Sequence, residues 1–289
     1  MKTILIPVDF SDNSLITCQY ALRMVDPAVP TTLHLLHIYP DQLMIPDSSF
    51  PSGIDSDAFM NVQFIEELRH HSEESMKELL KKLEQLIAEK KIDNLIVTHK
   101  ISGGDPEWEI RNQCEVMMPE FIIMGTHGTG KKGFLEGIMA EKIMDHANVP
   151  VIAVPANTQK CTIQRIMYAS NGSDKDFGKI KLLQSLFKPN DVEIFVVHFA
   201  LKNDKESGQS FMNDLKEAFT MEQSSSTLHF VTVEASDKQN DLEVFVKENN
   251  IDTIAFISHK TNIFKSLFSN DITKKDFFKL GLPMLAMHE

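Results

Sequence analysis

The chain has 289 residues, 42% of them apolar, with a formal net charge of −12 and a pI near 5.4. That length accommodates two ordinary domains with sizeable cores, and the acidic balance speaks against a nucleic-acid or anionic-membrane surface, which needs clustered Lys and Arg. Three scattered cysteines (Cys18, Cys114, Cys161) form no CxxC pair, Asp9 interrupts the N-terminus too early for a secretory signal, and no run of about 18 apolar residues is present, so a reducing, cytoplasmic location is expected.

The first half alternates strand and helix. Thr3 to Val8 is a short apolar run ended by Asp9, and Ser14 to Met24 follow with helical spacing. Thr32 to Tyr39 is the second strand. A polar insertion from Pro40 to Asn61, containing Pro46, Pro51 and Gly53, reads as a long loop, suited to a lid or partner-binding role or simply packed or disordered. Phe64, Leu68, Met76, Leu79, Leu80, Leu83, Leu86 and Ile87 then recur three or four apart, as on an amphipathic helix. Leu95 to Ile101 is the third strand and Trp108 to Met117 a helix, with Asp105 as N-cap and Pro106 at the first helical position. Trp108 is expected in the core. Phe121 to Gly125 is the fourth strand, Ile138 to Ala147 a helix, and Val149 to Val154 the fifth strand. Strands joined through helices imply crossovers and a parallel sheet, and their continuous apolar character implies helices on both faces.

The second half repeats this rhythm. Thr3 to Asp12 aligns with Arg165 to Asp174, His37 with His198, His127 with His259, and Val149 to Val154 with Leu282 to Met287. The expected architecture is therefore α/β, two tandem, doubly wound, open parallel five-stranded sheets. The expected units are residues 1–156 and 160–289, joined near Pro155 to Cys161. Fifth strands at two sheet edges need cover. Pairing them with each other supplies it, which places Val149–Val154 and Leu282–Met287 at the interface.

Five of the twelve glycines, Gly125, Gly128, Gly130, Gly133 and Gly137, crowd into the segment after the fourth strand. In open α/β sheets ligands bind beyond the strand ends, where the strand order reverses. Glycines let backbone N–H groups approach an anion, and the following helix N-terminus adds unpaired donors and a positive dipole end. Lys131 and Lys132 add charge. The segment is neither a GxxxxGK[ST] loop nor the first-turn GxGxxG of dinucleotide folds.

Val8-Asp9-Phe10-Ser11, His37-Ile38, Gly125-Thr126-His127-Gly128, Ala140 to Ile143 and Val149 to Val154 together resemble the universal stress protein family. The resemblance covers the whole first half and, more weakly, the second. It implies a strand order of 3-2-1-4-5 in each half and an adenine-nucleotide site: ATP, with AMP or ADP as alternatives and Mg as a candidate accompanying ion. On that basis Asp9 and the backbone at Ile38 hold the adenine, Gly125 and Gly128 let the loop pass ribose and phosphates, and Gly137 with the N–H groups of Ile138 and Met139 takes the phosphates. Pro7, Val8, Met124 and His127 complete the candidate set. The chain departs from the family pattern at two points. Eight residues, not nine, separate Gly128 from Gly137, and Ile138 stands where a hydroxyl residue is usual. In the second half Asn171, Ile257, Lys260 and Ser269 replace the Asp and the three glycines, so no nucleotide is expected there in that manner.

His34 and His37 lie on opposite faces of one strand, and neither an HExxH nor a zinc spacing occurs, so no metal site is assigned. No nucleophile and general-base pair is recognisable, so no catalytic residue is assigned. The leading expectation is an ATP-binding stress-response module, hydrolysing ATP slowly at most. Nucleotide would order the Gly125–Gly137 loop and alter a surface read by an unidentified protein partner. A homodimer is a candidate assembly in addition to the internal pair; nucleic acid and membrane are not expected partners. The alternatives are a nucleotide-free interaction or scaffold protein of the same fold, which Ile138 favours, and an ATP hydrolase.

Overall fold

A computed structural model describes residues 2–41, 54–126, 138–158, 162–188, 191–200, 205–221, 228–234, 238–258 and 280–288. Among the described residues ten strands form one sheet. In chain order the first half runs β1 (Lys2–Pro7), α1 (Asp12–Arg23), β2 (Thr31–Tyr39), α2 (Ile54–Lys90), β3 (Leu95–Gly103), α3 (Pro106–Met117), β4 (Phe121–Gly125), α4 (Ile138–His146) and β5 (Val151–Val154). The second runs β6 (Arg165–Ser170), α5 (Asp176–Phe187), β7 (Glu193–Ala200), α6 (Lys205–Met221), β8 (Leu228–Glu234), α7 (Lys238–Glu248), β9 (Thr253–Ser258) and β10 (Met284–His288).

The sheet order is β3-β2-β1-β4-β5-β10-β9-β6-β7-β8. Each half thus shows the expected 3-2-1-4-5 order, with parallel pairs throughout. The seam between them is antiparallel: Met284 faces Ala153, Leu285 faces Ile152 and Ala286 faces Val151. Strand side chains alternate between two apolar layers. Ile4, Ile6, Phe121, Ile123, Ile152 and Leu285 pack under α1, α2, α5 and α6, whereas Leu5, Ile122, Met124, Ala153, Met284 and Ala286 pack under α3, α4 and α7. Burial on both faces explains why these strands read as unbroken apolar runs rather than alternating ones.

Two local expectations change. The insertion read as a loop ends earlier than Asn61, because α2 already begins at Ile54; residues 42–53 lie outside the described residues. The 37 residues of α2 span about 55 Å, against about 30 Å for the nine residues of β2. The helix is longer than the strands it packs on, and from Val62 onward, where its side chains are described, the first buried position is Ser72, followed by Met76, Leu79 and Leu83. Trp108 is not in the core: it is 61% exposed. The Asp105 cap is present, its side chain accepting from the Trp108 N–H at 2.9 Å. Ile110 and Gln113 turn inward, and Glu109 is buried because its Oε2 accepts from Ser102 Oγ at 2.8 Å. Among the described residues no helix is long and apolar enough to cross a membrane.

Candidate functional site

The switch point of the first half lies between β1 and β4, and Pro7 opens it. Along β1 the N–H groups of Lys2 and Val8 donate to Pro30 and Leu36 carbonyls on the β2 side. Alternate residues point the other way, so the Pro7 nitrogen faces β4 with no hydrogen to give. The β1–β4 ladder accordingly holds Ile4↔Phe121 and Leu5↔Ile122 and then stops. In the second half Ala169 takes the place of Pro7, and the corresponding β6–β9 ladder runs two residues further, to Ala169↔Phe256. The hydrogen-bonded pairing thus ends at Leu5 and Ile122 in one half and continues two residues further in the other.

The turn that leaves β1 is held internally. Asp9 Oδ1 accepts from Ser11 N–H at 3.1 Å, Ser11 Oγ at 2.6 Å and Ser14 Oγ at 3.0 Å, tying Asp9 to the start of α1. One oxygen of the carboxylate expected to meet adenine is thus engaged by its own turn. Phe10 adopts a left-handed φ of 62°, costly for a side chain with a Cβ. Its ring packs on His37 with centroids 4.2 Å apart. The aligned residue in the second half is Gly172, φ 74°, which takes the same conformation without that cost. His37 donates from Nδ1 to the Val8 carbonyl at 2.8 Å, and His198 makes the equivalent bond to Ser170 at 3.2 Å. Burial pulls the His37 imidazole below its ordinary pKa, against the opposing pull of the Val8 carbonyl and Asp9. It acts as a neutral brace between β2 and the β1 turn. His34, on the other face, meets Thr98 Oγ1 at 2.8 Å.

β2 continues past the end of β1. Its pairing with β1 ends at Leu36, while its pairing with β3 runs to Tyr39↔Gly103. Ile38 therefore lies beyond the end of the β1 ladder, on the extension of β2 that pairs with β3 alone. On the other side Met124 is buried against the layer that holds α4, and Gly125 closes β4. Ile138 and Met139 are the first two residues of α4, with Met139 half-buried in the same layer. Topology brings Pro7, Val8, Asp9, Ile38, Met124 and Gly125 to the C-terminal ends of three adjacent strands. His127, Gly128 and Gly137 lie outside the described residues, as do Lys260 and Ser269. No group of three or more His, Cys, Asp or Glu among the described residues is arranged to hold a metal ion.

Gly125 also answers to the fold itself. A Cβ there would sit 2.4 Å from Asn13 Nδ2 and 3.0 Å from Asn13 Cγ. Asn13, 2% exposed, donates to the Val154 carbonyl at 3.1 Å, and the Thr126 N–H meets the same carbonyl at the same distance. Asn13 thus staples α1 to the ends of β4 and β5. Sequence reading did not single it out. The available signal was an amide residue in the first turn of a helix facing a glycine strand end. Gly125→Ala should lower the unfolding free energy by about 1–3 kcal/mol through overpacking. Urea titration of the single and the Asn13→Ala double variant checks this. The alanine should cost less once Asn13 is gone, and equal costs in both backgrounds would refute the clash.

The second half fills its equivalent region. Asp176, fully buried at the start of α5, accepts from Tyr168 OH at 2.7 Å and from Ser170 Oγ at 2.5 Å. Ile257, 2% exposed, stands where Gly125 stands in the first half.

The architecture has full-length counterparts among solved structures. A universal stress protein from Archaeoglobus fulgidus DSM 4304 superimposes with a TM-score of 0.68 at 18% identity, covering 99% of this chain and 96% of that one. A putative universal stress protein from Pseudomonas aeruginosa UCBPP-PA14 gives 0.57 at 13% identity, covering 100% and 93%. Universal stress protein G of Escherichia coli O157:H7 is 24% identical over 158 residues, which is 53% of this chain and 98% of that protein. The model of the universal stress protein family matches residues 1–155, more than half the chain. With a second five-stranded half joined edge to edge to the first, the chain belongs to the universal stress protein family, in tandem form.

Proposed function

We propose that this protein is an adenine-nucleotide-binding regulatory module of the stress response, acting in the cytoplasm, with one site in residues 1–156 and a supporting unit in residues 160–289. The observation that carries this reading is the asymmetry at the switch points. The ladder beside Pro7 stops early, and the strand beside it leads in sequence into a glycine-rich segment and a helix N-terminus, whereas the ladder beside Ala169 continues. Backbone donors then supply the anion contacts, Asp9 and the Ile38 backbone face the base, and Gly125 with Gly128 and Gly137 lines the path of the phosphates. No residue is assigned to catalysis. ATP is the first candidate, with ADP and AMP as alternatives and Mg carried on the phosphates.

Thermal unfolding of the full chain with millimolar ATP, ADP or AMP, with and without Mg, tests the proposal. A ligand at 100 times its Kd stabilises by about 2.7 kcal/mol, a rise of several degrees in Tm. Ile138→Ser restores a hydroxyl donor worth about 1.5–3 kcal/mol to a charged acceptor, so nucleotide affinity should rise roughly 10- to 100-fold. No Tm shift and no binding heat in either protein would favour the second reading, an interaction protein of the same fold. Ile138 in place of the usual hydroxyl residue is the observation on its side.

A further inference from the structure

The last turn of α4 is closed by the other half of the chain. α4 ends at His146, so the carbonyls of its final four residues have no partner within the helix. Ala147 N–H takes the Ile143 carbonyl at 2.9 Å. The carbonyl of Met144, a residue 1% exposed, instead accepts two side chains from the second half: Ser258 Oγ at 2.9 Å, from the end of β9, and His288 Nε2 at 2.6 Å, from the end of β10. Lys179 of α5 donates to the His288 backbone carbonyl. His288 is therefore held at its backbone and at its ring, and it transmits the position of α5 and β10 to α4.

The opposite end of this helix is Ile138, whose N–H is among the proposed phosphate donors. Nine residues make a rod about 13 Å long, short enough that fixing its last turn fixes its first. We infer that the second half positions the α4 N-terminus through the Ser258–Met144–His288 clamp, so that Ser258 and His288 are positioning residues for a site to which they contribute no contact. The consequence for ligand rests on the nucleotide reading above; the clamp itself does not. It gives the half without a glycine loop a role in the site of the half that has one.

Hydrogen exchange and ATP titration of the full chain test the inference together. In Ser258→Ala/His288→Ala the backbone amides of 138–147 should exchange at least about tenfold faster while those of β1 and β4 stay unchanged, and the ATP Kd should rise about 5- to 20-fold. His288→Gln, whose amide reaches toward the same carbonyl, should restore both; simple glue between halves predicts no such local rescue. If the double variant does not fold, Ser258→Ala alone, which removes one donor of two, is read in the same way. Unchanged exchange in α4, or acceleration spread evenly over the chain, would overturn the inference. So would a loosened α4 with unaltered ATP affinity. A wild type that binds no ATP would instead bring down the nucleotide reading, leaving exchange in α4 to decide the clamp.

Discussion

Leu285→Asp is expected to abolish the cooperative unfolding transition of the whole chain. Leu285 pairs with Ile152 in the centre of the antiparallel seam, and neither residue is exposed to solvent. A carboxylate there would sit in the apolar layer that includes Ile152, Val154, Ile257 and Met287. An uncompensated buried charge costs several kcal/mol even after relaxation, comparable with the ~5–15 kcal/mol that holds a domain folded. Leu285→Ala gives the graded version, a loss of about 2–5 kcal/mol from lost transfer energy and the cavity left behind. Urea denaturation followed by circular dichroism, with gel filtration of the same samples, reads both. An aspartate variant that keeps the wild-type midpoint would show that the two halves do not join through these strands in solution.

Asp176→Leu should cost about 3–5 kcal/mol, because it orphans two buried hydroxyls whose bonds to a carboxylate are worth roughly 1.5–3 kcal/mol each. The Tyr168 and Ser170 hydroxyls both end on this one side chain. Asp176→Asn keeps the shape and an acceptor for Tyr168, so it isolates the charge. Burial pushes the Asp176 carboxyl above its ordinary value of 3.8, although hydrogen bonds from Ser170, Tyr168, Ser173 and Gly172 pull it back. A raised native pKa means that the folded chain holds this proton more tightly than the unfolded chain does. The resulting stabilisation is fully present below about pH 3.8 and is lost as pH rises through the raised value. The stability of wild type relative to Asp176→Asn should therefore fall between about pH 4 and about pH 7. Parallel urea titrations at the two pH values check the sign. A difference that grows with pH would mean that the hydrogen bonds outweigh desolvation.

Most of this fold was legible because each strand carries apolar residues on both faces and each amphipathic helix carries one stripe. Such patterns identify β1 to β5, and the register of Asp9 with Asn171 and of His37 with His198 identifies the duplication. The same logic fails where burial is absent. The first turns of α2 carry few apolar residues at helical spacing, so the prolines nearby dominate the reading. Trp108 misleads because size suggests burial, whereas its position in α3 turns it outward beside the inward-facing Ile110. At the candidate site, glycine spacing pointed to the end of β4, which Gly125 closes. It could not show that Gly125 accommodates Asn13, since that contact joins residues 112 positions apart. Nor does Phe10 announce a left-handed backbone, which the ring contact with His37 offsets. The Tyr168–Asp176–Ser170 network was equally silent: three common polar residues gain meaning only when folding removes them from water.

The antiparallel meeting of β5 and β10 also changes what substitution can do. In a pair of identical chains related by a two-fold axis, every replacement appears twice, and a useful change on one side brings the same change on the other. Here the counterparts are separate positions in one polypeptide. Proline at residue 7 need not be matched at residue 169, nor glycine at 125 at residue 257. Two halves in one polypeptide are free of that symmetry, so a change that suits one need not be borne by the other.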